Sequence, residues 1–159
     1  MSDDQPLVPL ERGQLGVMLV RGAIFAAILL AAAAIPAFAT SDETGISPSA
    51  ILGALALLLL YPALIGPVRR YRSWGYRLDS EELLLRHGLW THIETLVPLR
   101  RVQHLDVAQG PLERGFRVTR LVLHTAGTIN SQIVLPGLSR RTAETIRDEI
   151  RAQIRAEPE

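Results

Sequence analysis

The stretch that decides the fold is GAIFAAILLAAAAIPAFA, residues 22–39, which runs for eighteen residues without a charge. A second uncharged run of nineteen residues, AILGALALLLLYPALIGPV, covers residues 50–68. A helix needs about 20 apolar residues, with about 17–25 observed, to cross the hydrocarbon core of a bilayer. The rest of the chain is too short to bury two such helices in a soluble domain. The sequence therefore predicts two membrane-spanning helices, at about residues 15–39 and 50–68.

Basic residues flank these two runs on the side of the chain termini. They are Arg12, Arg21, Arg69, Arg70 and Arg72. The connecting loop, residues 40–49, is short and polar and carries no arginine. Because positive charge accumulates on the cytoplasmic side of membrane helices, we expect a multi-pass protein of the plasma membrane with both termini cytoplasmic. The predicted parts are a cytoplasmic tail (1–14), a helical hairpin with an external loop (15–68) and a cytoplasmic domain (69–159).

A second interpretation of the first run stays open. Ala37, Phe38 and Ala39 form the small-x-small pattern of a signal-peptide cleavage site. Against cleavage, the preceding segment carries acidic residues, and the apolar run exceeds the 7–15 residues usual for a signal peptide. The two-helix prediction assumes that the first run is retained.

Composition argues against several classes of function. Residues 69–159 carry fifteen Arg against eleven acids, a charge of only +4, so we expect no nucleic-acid partner. The chain has no cysteine, which excludes disulfides, catalytic thiolates and cysteine-ligated metals. Neither apolar run contains an acid or a histidine, which argues against an ion path.

After residue 74 the pattern changes to short segments of period-two alternation separated by turn residues, which is typical of antiparallel strands. Six strands are predicted, at residues 75–79, 82–87, 90–97, 102–109, 118–125 and 130–135. Pro136 and Gly137 are expected to end the sixth strand. Ser139 is suited to cap a following helix, whose apolar stripe is Ala143, Ile146, Ile150 and Ile154. The predicted fold class is therefore α+β.

Three segments carry a family resemblance: VPLRRVQHLDVAQGPLER (97–114), LVLHTAG (121–127) and LPGL (135–138). Together with the two preceding apolar helices, they resemble the bacterial YdbS-like membrane proteins that contain a pleckstrin-homology-like domain. The resemblance implies a strongly bent antiparallel sheet or barrel capped by the C-terminal helix. That fold usually has seven strands, whereas six are counted here.

The residues that could carry chemistry do not form a recognisable catalytic or metal-binding pattern. The four histidines, His87, His92, His104 and His124, lie in or beside different predicted strands, and nothing in the sequence makes them converge. Glu113, in a glycine-bracketed turn, is interpreted as an ion pair or a cap. We therefore expect no enzyme, no metal and no cofactor. An enzyme would need a concave pocket that holds His104, Asp106 and His124 together.

Two functions remain. The first is a membrane-tethered interaction module that binds another membrane protein or assembles with itself. The second is a reader of anionic lipid that uses an arginine-rich surface. The candidate lipid or partner contacts are Arg69, Arg70, Arg72, Arg100 and Arg101.

Overall fold

The computed structural model describes residues 6–39, 45, 47–126 and 132–156. The chain divides into two compact units. One, the helical unit, is Met18–Arg69, and the other, the sheet unit, combines Met1–Val17 with Arg70–Glu159. The sheet unit therefore contains segments from both sides of the helical one.

The two predicted helices are present and are longer than expected. Helix α1 spans Arg12–Ala39, and the second helical stretch runs from Pro48 to Arg72 as α2 (Pro48–Leu60), a π-helical turn (Tyr61–Ile65) and α3 (Gly66–Arg72). Both are long and apolar enough to cross a membrane. Large apolar side chains such as Ile35 and Leu58 are more than 70% exposed in the helical unit, as lipid-facing residues would be. Most of the predicted external loop, residues 40–44 and 46, lies outside the described residues.

The second helix changes its hydrogen-bond pattern at a proline. Pro62 has no N–H to donate, so the regular ladder is interrupted there. The Gly66 N–H donates instead to the carbonyl of Tyr61, five residues back, which is the π-helical pattern. Within the helical unit, α1 approaches this turn closely at Gly22, where a Cβ atom would come within 2.8 Å of the Ala63 carbonyl oxygen.

The sheet unit contains two three-stranded antiparallel sheets, in the order β1-β2-β3 and β4-β5-β6. The strands are β1 (Gly75–Leu78), β2 (Glu82–His87), β3 (Ile93–Pro98), β4 (Val102–Ala108), β5 (Thr119–Thr125) and β6 (Gln132–Leu138). A 3-10 turn, Leu99–Arg101, joins β3 to β4, and helix α4 (Pro111–Gly115) lies between β4 and β5. The predicted α+β class is confirmed, with two open sheets rather than a closed barrel.

Two strand boundaries differ from the prediction by three residues each, and several others differ by one residue. β3 begins at Ile93 rather than at residue 90, because Gly88 takes a positive φ of 129° and starts a turn. The prediction that Pro136 and Gly137 end the sixth strand is wrong, since β6 continues to Leu138. The register between β5 and β6 shifts between Thr119 and Leu121, which marks a bulge, and Gly137 has a φ of 67°. Proline and glycine are tolerated in a strand at such irregularities.

Helix α5 (Arg140–Ala156) closes the core between the sheets. As predicted, Ser139 caps it, and its hydroxyl accepts a hydrogen bond from the Thr142 N–H at 3.1 Å. Ala143, Ile146 and Ile150 are buried, but Ile154 is 39% exposed, contrary to the prediction. Ile154 lies in the last turns of the helix, where it lines an open cleft rather than the core. The core also contains leucines from both sheets: Leu83, Leu85, Leu121, Leu123 and Leu135.

Candidate interaction surfaces

The residues that precede the first helix are packed into the sheet unit. Val8 and Tyr76 exchange two backbone hydrogen bonds, of 2.8 and 3.0 Å, which extend the edge of β1. Leu10 belongs to the core and is 3% exposed. The Glu11 N–H donates to the carbonyl of Gly137 at 2.8 Å. The part of the predicted tail that the structure describes is therefore a segment of the domain.

The chain leaves the sheet unit twice, after Val17 and before Arg70, and the segments beside these two junctions contact each other. The hydroxyl of Tyr71, one residue inside the second junction, donates to the carbonyl of Leu10 at 2.8 Å. Trp74 stacks on His87, the last residue of β2, with ring centroids 4.5 Å apart. We call this the junction end of the unit. It comprises residues 10–17, 70–75, 88–92 and 111–117.

The α4 turn belongs to the junction end because it contacts the start of α1. A Cβ atom on Gly16 would collide with the ring of Phe116, and one on Gly13 would collide with the Phe116 carbonyl. Only glycine allows this close approach of the helix to residues 116–118. The ring of Phe116 itself stays 38% exposed.

Glu113 fixes the shape of this turn from inside. Its carboxylate is buried, accepts a hydrogen bond from the Gly110 N–H at 2.5 Å and pairs with Arg120 at 3.2 Å. The interpretation of Glu113 as a cap and ion pair is thus confirmed, with Arg120 as its charged partner. The following residue pair, Phe116 and Arg117, completes the turn, and Arg117 has a φ of 55°.

The hairpin between β2 and β3 presents an aromatic residue at the junction end. Trp90 lies in its tip and is 79% exposed. The tip is tightly folded, because a Cβ atom on Gly88 would collide with the carbonyl oxygen of Thr91. Ile93, the first residue of β3, is also exposed, whereas Leu89 is half-buried. Sequence reasoning missed this tip, although the run Gly-Leu-Trp-Thr is an unusual composition for an exposed turn.

The five candidate arginines fall into two separate groups. Arg69, Arg70 and Arg72 lie in the last turns of α3 and are exposed. Arg100 and Arg101 are exposed in the 3-10 turn that follows the opposite end of β3. Within the sheet unit, Arg70 and Arg72 thus precede one end of the first sheet, and the second pair follows its other end. Within the sheet unit, the structure does not bring Arg70 and Arg72 into one surface with Arg100 and Arg101.

The end that carries Arg100 and Arg101 is the far end of the sheet unit. It comprises residues 79–81, 99–101 and Ala126, tied together by hydrogen bonds from Leu99 N–H to the Glu81 carbonyl and from Ala126 N–H to the Arg101 carbonyl, both 2.9 Å. An open cleft of about 440 Å³ lies here. Its walls are the β1–β2 turn, the 3-10 turn and the last turns of α5: Ser80, Glu81, Glu82, Pro98, Leu99, Arg100, Gln153 and Ile154.

The structure brings His104, Asp106 and His124 together, but on the outer face of the second sheet. The two Nε2 atoms lie 2.9 and 3.2 Å from the two carboxylate oxygens of Asp106. All three side chains are more than a third exposed. Among the described residues, no group of three or more His, Asp or Glu side chains has an arrangement that could hold a metal ion. The core of the sheet unit is filled by apolar side chains, most of them leucine.

Among the described residues of the sheet unit, Tyr76 has a shifted pKa. Burial raises the pKa of the Tyr76 phenol above its usual value of 10.0, and the negative charge of Glu11 raises it further. Tyr76 is a core residue under the N-terminal segment, so this shift reports packing of that segment. It does not mark a reactive group.

Comparison with known proteins agrees with this architecture. A family model described as "Bacterial PH domain" matches residues 14–154. The chain is 33% identical over 103 residues to UPF0699 transmembrane protein YdbS of Bacillus subtilis (strain 168), covering 64% of this chain and 63% of that protein. It is 26% identical over 100 residues to UPF0699 transmembrane protein YdbT of the same organism, covering 62% of this chain and 20% of that protein. The chain thus spans less than two thirds of the length of these relatives. No solved structure matches it.

Proposed function

Because this chain belongs to the bacterial PH domain family and is a YdbS-like membrane protein, we propose that it is a non-enzymatic interaction module. In this proposal a two-helix hairpin holds the module at the plasma membrane with both termini in the cytoplasm. Its partner is another membrane protein or a second copy of the chain, and it binds at the far end. The observation that carries the proposal is that the segments beside the two junctions are joined within the sheet unit by the Tyr71–Leu10 hydrogen bond.

The position of the junctions supports the hairpin topology. Residues 10–17, which begin the first helix, and residues 70–75, which end the second, are parts of one packed unit. A unit held together by the Tyr71–Leu10 hydrogen bond cannot have these two segments on opposite sides of a bilayer. This packing supports an even number of membrane crossings between them, and in the proposal the two apolar helices supply two.

The charge distribution supports a cytoplasmic location for the sheet unit. The arginines that flank the helices all lie on the side of this unit, and residues 40–49 carry none. Such an asymmetry near the ends of membrane helices favours the basic side in the cytoplasm.

Single cysteines test the topology directly, because the chain has none of its own. Ser47 lies in the loop between the two helices, and Ser80 lies at the far end of the sheet unit. Both serines are exposed, so each can be replaced by cysteine and labelled. A membrane-impermeant thiol reagent added to intact cells should label Ser47→Cys and leave Ser80→Cys unlabelled until the cells are opened. The reverse pattern would invert the proposed orientation, and labelling of both would refute it.

The far end is the surface that remains available for a partner. The junction end is occupied by the chain as it enters and leaves the unit, whereas the far end presents the exposed Arg100 and Arg101 beside an open cleft. The apolar side chain of Ile154 lines that cleft together with charged groups. A mixed apolar and charged surface of this kind is typical of non-obligate protein interfaces.

Cross-linking in the native membrane tests this assignment. A photoactivatable cross-linker on Arg100→Cys should give a specific protein adduct that mass spectrometry identifies. The matched control is Arg114→Cys, an exposed arginine at the junction end. Absence of any protein adduct from Arg100→Cys, or the same adducts from both positions, would refute a partner surface at the far end.

A further inference from the structure

We propose that the junction end docks into the lipid headgroup layer. In this arrangement the tip of the β2–β3 hairpin places Trp90 in the membrane interface, and Arg114 and Arg117 contact anionic headgroups. The proposal rests on the membrane orientation given above, but it requires no partner protein. The lipid contact therefore uses Arg114 and Arg117 in place of Arg100 and Arg101, which lie at the far end.

Chain length places the junction end near the headgroups. Gly16, which contacts Phe116, precedes the uncharged run at Gly22 by six residues, or about 9 Å of helix. On the other side, Arg72 follows Val68 by four residues, or about 6 Å of helix. The polar layer of a bilayer is about 5–8 Å thick on each side. Both attachment points thus lie close to its outer boundary.

The hairpin tip lies close in space to the second attachment point, Arg72. Two residues separate Arg72 from β1, so Trp74 lies within about 7 Å of the helix end. Trp74 stacks on His87, and Trp90 is three residues further along the tip that begins there. An indole that is 79% exposed in water is unfavourable, whereas the membrane interface accommodates both its apolar ring and its N–H.

The α4 turn at the junction end presents a basic surface that is complementary to anionic lipid. Arg114 and Arg117 are exposed on the α4 turn. Their acidic neighbour Glu113 is buried and is engaged by Gly110 and Arg120, so it does not face the same surface. Basic residues near an anionic leaflet each strengthen membrane attachment by about fivefold.

Tryptophan fluorescence tests the position of the hairpin tip, because the chain has only two tryptophans. Trp74→Phe leaves Trp90 as the sole reporter and keeps a ring to stack on His87. In full-length protein reconstituted into vesicles, phosphatidylcholine brominated on the acyl chains should quench Trp90, and its emission should shift to the blue relative to detergent solution. Emission that brominated lipid leaves unchanged and that iodide quenches freely would overturn the proposal.

Spin labels give a second measurement that does not depend on the Trp74 substitution. A label on Thr91→Cys, in the hairpin tip, should collide more with oxygen and less with a water-soluble nickel complex when the protein is in vesicles. The matched control is Ser80→Cys in the β1–β2 turn at the far end, where the same label should stay in water. Equal accessibility at both positions would overturn the proposal.

Paired arginine substitutions test the electrostatic part. Adding anionic phosphatidylglycerol to the vesicles should increase the quenching of Trp90 by brominated lipid. The double variant Arg114→Gln, Arg117→Gln should weaken this increase by about fivefold for each charge removed. Arg100→Gln with Arg101→Gln removes the same charge at the far end and should leave it intact. An equal response of both pairs would refute docking at the junction end. If the thiol labelling above shows the proposed orientation and Trp90 is nevertheless unquenched, this inference fails and the proposed function stands.

Discussion

Leu10 should stabilise the sheet unit strongly. It lies before the first helix, sixty residues ahead of Arg70, where the main part of that unit begins. Its side chain is 3% exposed and packs in the core. Leu10→Ala removes three buried carbon atoms, a transfer loss of about 2.4 kcal/mol at about 0.8 kcal/mol each. The cavity left behind adds to this, so we expect a loss of roughly 3–4 kcal/mol. Small domains are stable by about 5–15 kcal/mol in total.

The assay is thermal unfolding of the full-length protein in detergent. Near-ultraviolet circular dichroism monitors the loss of tertiary packing as the temperature rises. Val8→Ala is the matched control, because Val8 lies two residues away and is 47% exposed. Since its backbone pairing with Tyr76 does not involve the side chain, it should cost less than about 1 kcal/mol. A Leu10→Ala protein that melts like the Val8→Ala protein would refute the packing of the N-terminal segment into the domain.

Three further perturbations have expected outcomes. Gly88→Ala places a Cβ against the Thr91 carbonyl at a positive φ, so it should lower the free energy of unfolding by about 1–3 kcal/mol. It should also alter the emission of Trp90, and tryptophan fluorescence during urea unfolding measures both effects. Glu113→Ala leaves the partly buried Gly110 N–H without its carboxylate acceptor and should lower stability by about 1–3 kcal/mol in thermal melts. A neutral result would contradict the capping role of Glu113. The raised pKa of Tyr76 means that the folded state keeps its phenol protonated longer than the unfolded state does, so stability is fully present below pH 10 and falls above it. Tyr76→Phe should flatten that alkaline decline in pH-dependent melting, and an unchanged slope would argue against the shift.

The sequence by itself determined the features that depend on neighbouring residues. Uncharged runs of eighteen and nineteen residues predict two long apolar helices, because the thickness of a bilayer is a length requirement on one continuous segment. Alternation with period two located six strands within a few residues, since adjacent side chains of a strand must face opposite sides. Ser139 identified the start of α5 because capping involves only the next three residues.

Local patterns failed where a distant segment changes the environment. Pro136 and Gly137 usually end strands, but a bulge against β5 accommodates both of them within β6. Ile154 continues the apolar stripe of α5, yet it lies beyond the core, because the extent of the sheets decides how many helical turns can be covered.

Only the tertiary structure decided how the candidate surfaces are arranged. The pairing of Val8 with Tyr76 joins segments that flank the whole helical hairpin, and neither segment carries a local sign of the other. The same folding separates Arg100 and Arg101 from Arg70 and Arg72 and brings the Trp90 hairpin next to Trp74. The physical reason is that antiparallel pairing fixes which strand ends are neighbours, and that register depends on contacts between residues far apart in the chain.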